Sequence, residues 1–148
     1  MTMKTARILV LAGLLAGSRP VDAHHAFSAE FDADKPVKLT GSVTKLDWTN
    51  PHAWIYLDVK DAKGQPVTWA LEATGPGGLQ KVGVKREDVK TGDTIKVRCH
   101  LLRDGSSGCL LGFVTPTHGD QARGHGVERD WDGGGGAGGP ATPQFGGK

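Results

Sequence analysis

The 148-residue sequence has few cysteines, few aromatic residues and no long hydrophobic segment. Its main apolar run, from Ile8 to Gly17, is about half as long as the roughly 20 residues of a membrane-spanning helix. No Ser, Cys or Lys occupies a nucleophile motif, and no glycine-rich loop joins a strand to a helix as phosphate-binding motifs require. We therefore expect a protein that is not an enzyme and that keeps no stable membrane insertion.

A surplus of positive charge is also absent. The sequence has 18 basic and 16 acidic residues. Removal of residues 1–23 takes away three of the basic and one of the acidic residues, so the remaining chain carries equal numbers of both. Nucleic-acid binding depends on a surplus of Lys and Arg facing phosphates. The composition therefore predicts no nucleic-acid partner.

The first 23 residues have the three-part plan of a secretory signal peptide. Lys4 and Arg7 form a basic start, and the apolar run follows. Val21 and Ala23 are small residues at the positions that a signal peptidase reads. We expect cleavage after Ala23, a mature chain that begins at His24, and a periplasmic or secreted location.

The only two cysteines, Cys99 and Cys109, flank a turn at residues 103–108. A hairpin centred near Asp104 would place them opposite each other, and disulfides persist in the oxidising compartments that exported proteins reach. We therefore predict a cross-strand disulfide. The alternatives are two buried free thiols or a metal site of Cys99 with His100, which is disfavoured because neighbours on a strand point to opposite faces.

Alternation of apolar and polar residues predicts five short strands. They lie near residues 37–43, 53–59, 67–71, 95–99 and 110–114, with a change of phase at 45–48 that indicates a bulge or bend. Between the third and fourth strands, Thr74 as a cap and Pro76 as first helical residue predict a helix of one or two turns. This order favours an all-β, five-stranded OB-type Greek-key barrel over residues 24–116, with a small meander sandwich as the alternative.

From Thr117 onward, glycine dominates and apolar residues are sparse. Such a segment buries too little surface to offset the entropy of its chain. We therefore expect residues 117–148 to form a disordered tail, in which His118 and His125 are incidental.

The predicted mature N-terminus is the strongest candidate for metal chemistry. The free α-amine and one ring nitrogen of His24 can chelate a metal, and a second histidine, with His52 as the first choice and His25 as the other, can complete a set suited to Cu(II). Amine and imidazole nitrogens suit copper, nickel and zinc, and copper is favoured by intrinsic affinity. The alternative is structural: His24 and His25 begin an arm, and His52 stabilises the loop after Asn50.

Aromatic residues are concentrated in the first three predicted strands, at Trp48, Trp54, Tyr56 and Trp69. If Ile55 and Leu57 face the core, Trp54 and Tyr56 face outward, because strand side chains alternate. The second and third strands of OB-type barrels form a common ligand platform, and exposed rings there stack on sugars, peptides or bases. Asn50 lies beside this candidate platform. The alternative is that these rings cover the core or pack under the N-terminal arm.

Four short segments resemble a family of small exported bacterial proteins that is labelled as a domain of unknown function. They are His24-His25-Ala26-Phe27, Glu30-Phe31-Asp32, Gly41-Ser42-Val43 and Trp48-Thr49-Asn50-Pro51-His52. The resemblance covers residues 24–116 and implies export and a small β-barrel, without an activity. The sequence departs from the family pattern in Ala26 and in its two cysteines, so the disulfide is a local addition.

Three functions follow as hypotheses. The first is an exported binding module whose ligand or partner contacts the aromatic segment. The second is a copper-binding protein that uses His24 with His25 or His52. The third is an accessory subunit that docks on a larger exported protein complex.

Overall fold

The computed structural model describes residues 30–133, and this part of the chain is mostly β-structure. Its six strands are β1 (Phe31–Asp47), β2 (Trp54–Lys60), β3 (Pro66–Glu72), β4 (Thr94–Leu102), β5 (Gly108–Pro116) and β6 (Arg129–Asp130). A short helix, α1 (Pro76–Lys81), and 3-10 turns at Arg86–Asp88 and Gln121–Arg123 lie in the connections. The predicted signal peptide lies outside the described residues.

The strands form one sheet in which five of them close a ring. The C-terminal part of β1 pairs with β2 and its N-terminal part pairs with β4, both antiparallel. β2 also pairs with β3, and β4 also pairs with β5, both antiparallel. A short parallel contact of Ala70–Glu72 with Gly108–Leu110 joins β3 to β5. The mostly-β fold and its single short helix are confirmed.

β1 can pair with both β2 and β4 because it bends. Its register to β2 shifts between Val43 and Lys45, which confirms the predicted change of phase near this point. Just before the shift, a Cβ at Gly41 would overlap the carbonyl oxygen of Asp58 on β2. Only glycine leaves room for this approach of the two backbones.

The inward side chains of all five ring strands share one hydrophobic core. Its fully buried members include Ile55, Leu57, Leu71, Ile95 and Leu111. Helix α1 adds Leu79 to the same core. Pro76 begins α1 as predicted, but the residue at the cap is Gly75 and no side chain caps the helix, so the expected role of Thr74 was wrong. The Thr74 amide instead donates to the carbonyl of Trp131.

Residues 117–133 are ordered, which corrects the expectation of a disordered tail from residue 117. Trp131 is buried in the core, with 1% of its surface exposed. Its ring contacts Trp48 edge to face, with ring centroids 6.3 Å apart. Its amide donates to the Gly112 carbonyl at 2.8 Å. The segment is therefore anchored by one buried tryptophan, although its average composition is poor in apolar residues. The described fold includes residues up to 133, and residues 134–148 lie outside the described part.

Residues 117–133 also contact the loop that precedes β4 and keep it in place. Arg123 pairs with Asp93, and its Nε donates to the Glu87 carbonyl at 2.8 Å. His118 Nε2 lies 3.1 Å from the Asp88 carbonyl oxygen. His118 is therefore a structural contact and not an incidental residue.

The predicted disulfide between Cys99 and Cys109 is confirmed, with Cα atoms 5.8 Å apart. Its register differs from the prediction, because Leu101 pairs with Cys109 and Cys99 pairs with Leu111. The hairpin is thus centred on Gly105, whose φ of 79° supplies the left-handed residue of the turn. Since both sulfur atoms are bonded, the free-thiol and Cys99–His100 metal alternatives are excluded.

Replacing Gly41 with Ala should destabilise the fold by about 1–3 kcal/mol, because the new methyl group forces β1 away from Asp58. Urea denaturation measures the change. Gly77→Ala is the matched control, since nothing lies within 4 Å of its added Cβ. In helix α1 this control should be neutral or stabilising. Equal stability of the two variants would contradict the close approach.

Candidate functional site

The outward side of β2 carries the two aromatic residues that the sequence analysis placed there. Ile55 and Leu57 are fully buried, whereas Trp54 and Tyr56, which alternate with them, are partly exposed. The expected alternation along this strand is confirmed. The partly exposed rings of Trp54 and Tyr56 therefore form part of the outer surface of the sheet.

Strand register surrounds these rings with charged side chains. Trp54 pairs with Asp47 of β1 on one side and with Glu72 of β3 on the other. Tyr56 pairs with Lys45. Directly paired residues have Cβ atoms about 4.5–5.5 Å apart, so both carboxylates border the indole. We call this surface the aromatic face and define it by Lys45, Asp47, Trp54, Tyr56, Asp58 and Glu72.

Lys45, Asp47 and Asp58 of the aromatic face make side-chain contacts on this surface. Lys45 Nζ lies 2.8 Å from an Asp47 oxygen and 5.2 Å from the centre of the Tyr56 ring. The hydrogen bond to Asp47 raises the pKa of Lys45. Asp58 accepts a hydrogen bond from Thr68 Oγ1 at 2.6 Å. With three carboxylates and one lysine, the aromatic face has an excess of acidic over basic side chains.

The other two predicted aromatic residues lie elsewhere. Trp69 pairs with Leu57, so it shares the inward side of the sheet and packs against the core. Trp48 also packs against the core, in contact with Trp131. The alternative prediction, that aromatic rings cover the core, describes these two residues. The four rings therefore do not form one platform.

The loop between β1 and β2 borders the aromatic face and carries Asn50 and His52. Asn50 is exposed, and its peptide bond to Pro51 is cis. His52 Nδ1 contacts Glu72 Oε1, and Thr49 Oγ1 donates to the His52 carbonyl at 3.3 Å. The structure thus links His52 to the aromatic face through Glu72.

The other two predicted metal ligands, His24 and His25, lie outside the described residues. Within residues 30–133, no three His, Cys, Asp or Glu side chains lie close enough to hold a metal ion. His52 and Glu72 supply two adjoining donor groups. His100 is buried beside the Asp32 backbone, and burial lowers the pKa of its imidazole.

One acidic pair near the end of the described chain escaped the sequence analysis. Burial, reinforced by the nearby charge of Asp130, raises the pKa of Asp132 to about 6. Asp130 Oδ1 accepts from the Asp132 and Gly133 amides at 2.9 and 3.2 Å. Sequence reasoning missed the pair because it treated this segment as disordered.

Comparison with known proteins gives one match. A family model described as a family of unknown function (DUF6152) matches residues 11–111. The description names no activity, ligand or cellular location. No curated protein and no solved structure matches the chain. Among residues 30–133, no helix has the length and apolar character needed to cross a membrane.

Removing the Asp132 charge should change how stability depends on pH. The pKa of Asp132 is higher in the folded chain than in the unfolded chain. The contribution of Asp132 to the free energy of unfolding is therefore fully present below about pH 4 and is lost as pH rises through about 6. Asp132→Asn should therefore gain about 1 kcal/mol over the natural chain between pH 4 and 7, after allowance for solvent screening. Urea denaturation across this range measures the difference. Exposed Asp34→Asn is the control, and parallel pH profiles for Asp132→Asn and the natural chain would contradict the assignment.

Proposed function

The chain belongs to the family of unknown function DUF6152, and we propose that it is an exported, non-enzymatic binding module of OB type. Its ligand contacts the aromatic face and presents a cationic group. The observation that carries this proposal is the position of partly exposed Trp54 between Asp47 and Glu72.

The order of the strands supports the OB-type assignment. The ring runs β1-β2-β3-β5-β4 and returns to β1, with α1 between β3 and β4. OB-type barrels bind ligands on the outer face of their second and third strands, between the loop after the first strand and the loop after the fourth. Here the corresponding loops are residues 48–53 and 103–107. The Ala70 amide donates to Ser107 at 3.0 Å, which joins the second loop to β3 beside the face.

Export is supported by two features of the chain. Residues 1–23 have the composition of a cleavable signal peptide. The Cys99–Cys109 disulfide suits an oxidising compartment such as a periplasm. Both features are independent of the binding surface, and together they favour a ligand met outside the cytoplasm.

The chemistry of the aromatic face favours a cation over a sugar or a base. A cation above an indole is attracted by the ring quadrupole, and adjacent carboxylates strengthen that attraction. The face already holds one such arrangement, since Lys45 lies above Tyr56 and pairs with Asp47. Trp54 and Glu72 offer similar chemistry to an external ammonium or guanidinium group.

Choline and its uncharged carbon analogue dimethylbutanol test the proposed preference. Choline should bind in calorimetric titration and the analogue should not, because only choline carries the charge that the face recognises. Trp54→Ala should weaken choline binding about tenfold or more. Trp69→Phe is the control, because Trp69 faces inward. Equal binding of both probes, or unchanged binding by Trp54→Ala, would contradict the proposal.

Copper binding is the second candidate function, and the contact between His52 and Glu72 favours it. Metal-binding histidines commonly donate one ring N–H to a carboxylate, which orients the other nitrogen toward the metal. His52 Nδ1 meets Glu72 in this way, which leaves Nε2 as the ligand atom. The α-amine and one ring nitrogen of His24 would complete the set.

Titration of the mature chain with Cu(II) tests this alternative, after intact mass has shown whether the chain begins at His24. One copper should bind, and both His24→Ala and an added N-terminal residue should abolish binding. Glu72→Gln should weaken it about 10–100-fold, because His52 loses its orientation. His118→Gln is the control, and unchanged affinity in the His24 and Glu72 variants would rule the copper site out.

A further inference from the structure

A second surface of the sheet combines basic side chains with a cavity. It lies on the outer side of β1, β4 and β5 and is separate from the aromatic face. The cavity has a volume of about 370 Å³. Its polar lining consists of Lys38, Thr40, Lys96, Arg98, Thr115 and Glu128. We call this surface the basic face.

Strand register brings the positive charges together. Lys38 pairs directly with Arg98, and Thr40 pairs with Lys96. On β5, Thr115 pairs with Lys96. Like charges in directly paired positions tend to destabilise a sheet, and Lys38 and Arg98 form such a pair.

Arg98 is held in place by its neighbours. Its Nη2 and Nε lie 2.7 and 3.1 Å from the two carboxylate oxygens of Glu128. Its guanidinium group also lies 4.3 Å from the centre of the Phe113 ring. Glu128 therefore balances the charge of Arg98 and forms one wall of the cavity.

Lys38 and Lys96 have no such partner. In the part of the chain between residues 30 and 133, neither forms an ion pair with a carboxylate. They occupy diagonal positions on neighbouring strands, about 7–8 Å apart at the backbone, and long side chains bridge that distance. The cavity therefore carries two positive charges that the described side chains do not balance.

We propose that the basic face binds a small dianion of the phosphate or phosphomonoester class. The two lysines match the charge of such a group, and the hydroxyl groups of Thr40 and Thr115 supply hydrogen-bond donors beside them. A long polyanion fits less well, because the mature chain carries equal numbers of basic and acidic residues. The site is independent of the aromatic face and does not rest on the function proposed for it.

Titration of the full mature chain with inorganic phosphate at pH 7.5 tests the site, with chloride adjusted to hold the ionic strength constant. Amide resonances of Thr40, Lys96 and Thr115 should shift and saturate together in NMR spectra. The double variant Lys38→Gln/Lys96→Gln should weaken binding about tenfold or more, because both balancing charges are lost.

The control is Lys60→Gln/Lys63→Gln, which changes net charge equally at exposed positions of the β2–β3 hairpin. This control should bind phosphate as the natural chain does. Lys38→Gln alone should keep or raise the melting temperature, since it removes a like-charge pair, so its weaker binding is not a failure to fold. Absence of saturable shifts in the natural chain, or equal weakening in both double variants, would overturn the proposal.

Discussion

The two halves of the sheet depend on the close approach of β1 to β2 at Gly41. β1 is the one strand that pairs with both β2 and β4, and it can do so because it bends beside Gly41 and shifts register before Lys45. A side chain at Gly41 would separate β1 from the Asp58 backbone. Because the other strands close the ring through β1, this separation would weaken the pairing on which burial of the core depends.

The same division of β1 organises the outer surface. Its C-terminal part contributes Lys45 and Asp47 to the aromatic face, and its N-terminal part contributes Lys38 and Thr40 to the basic face. Carboxylates exceed cations on the first surface and cations exceed carboxylates on the second. A chain whose formal net charge is only +2 therefore presents two regions of opposite sign.

The C-terminal segment contributes to both the core and the surface. Trp131 fills the core beside Trp48, and its backbone links Gly112 of β5 to Thr74 before α1. Glu128, three residues earlier, holds Arg98 at the wall of the basic cavity. The burial of Trp131 thus fixes the position of a residue that defines a candidate binding site.

The sequence by itself determined the pattern of the five ring strands, the position of α1, the disulfide partners and the outward direction of Trp54 and Tyr56, because alternation and turn residues act over a few positions. Only the tertiary structure decided which distant residues meet. It turned Trp69 inward, placed His52 against Glu72, centred the last hairpin on Gly105 and buried Trp131. These outcomes depend on strand register and on contacts between remote segments, where a shift of one residue reverses the side that each side chain faces.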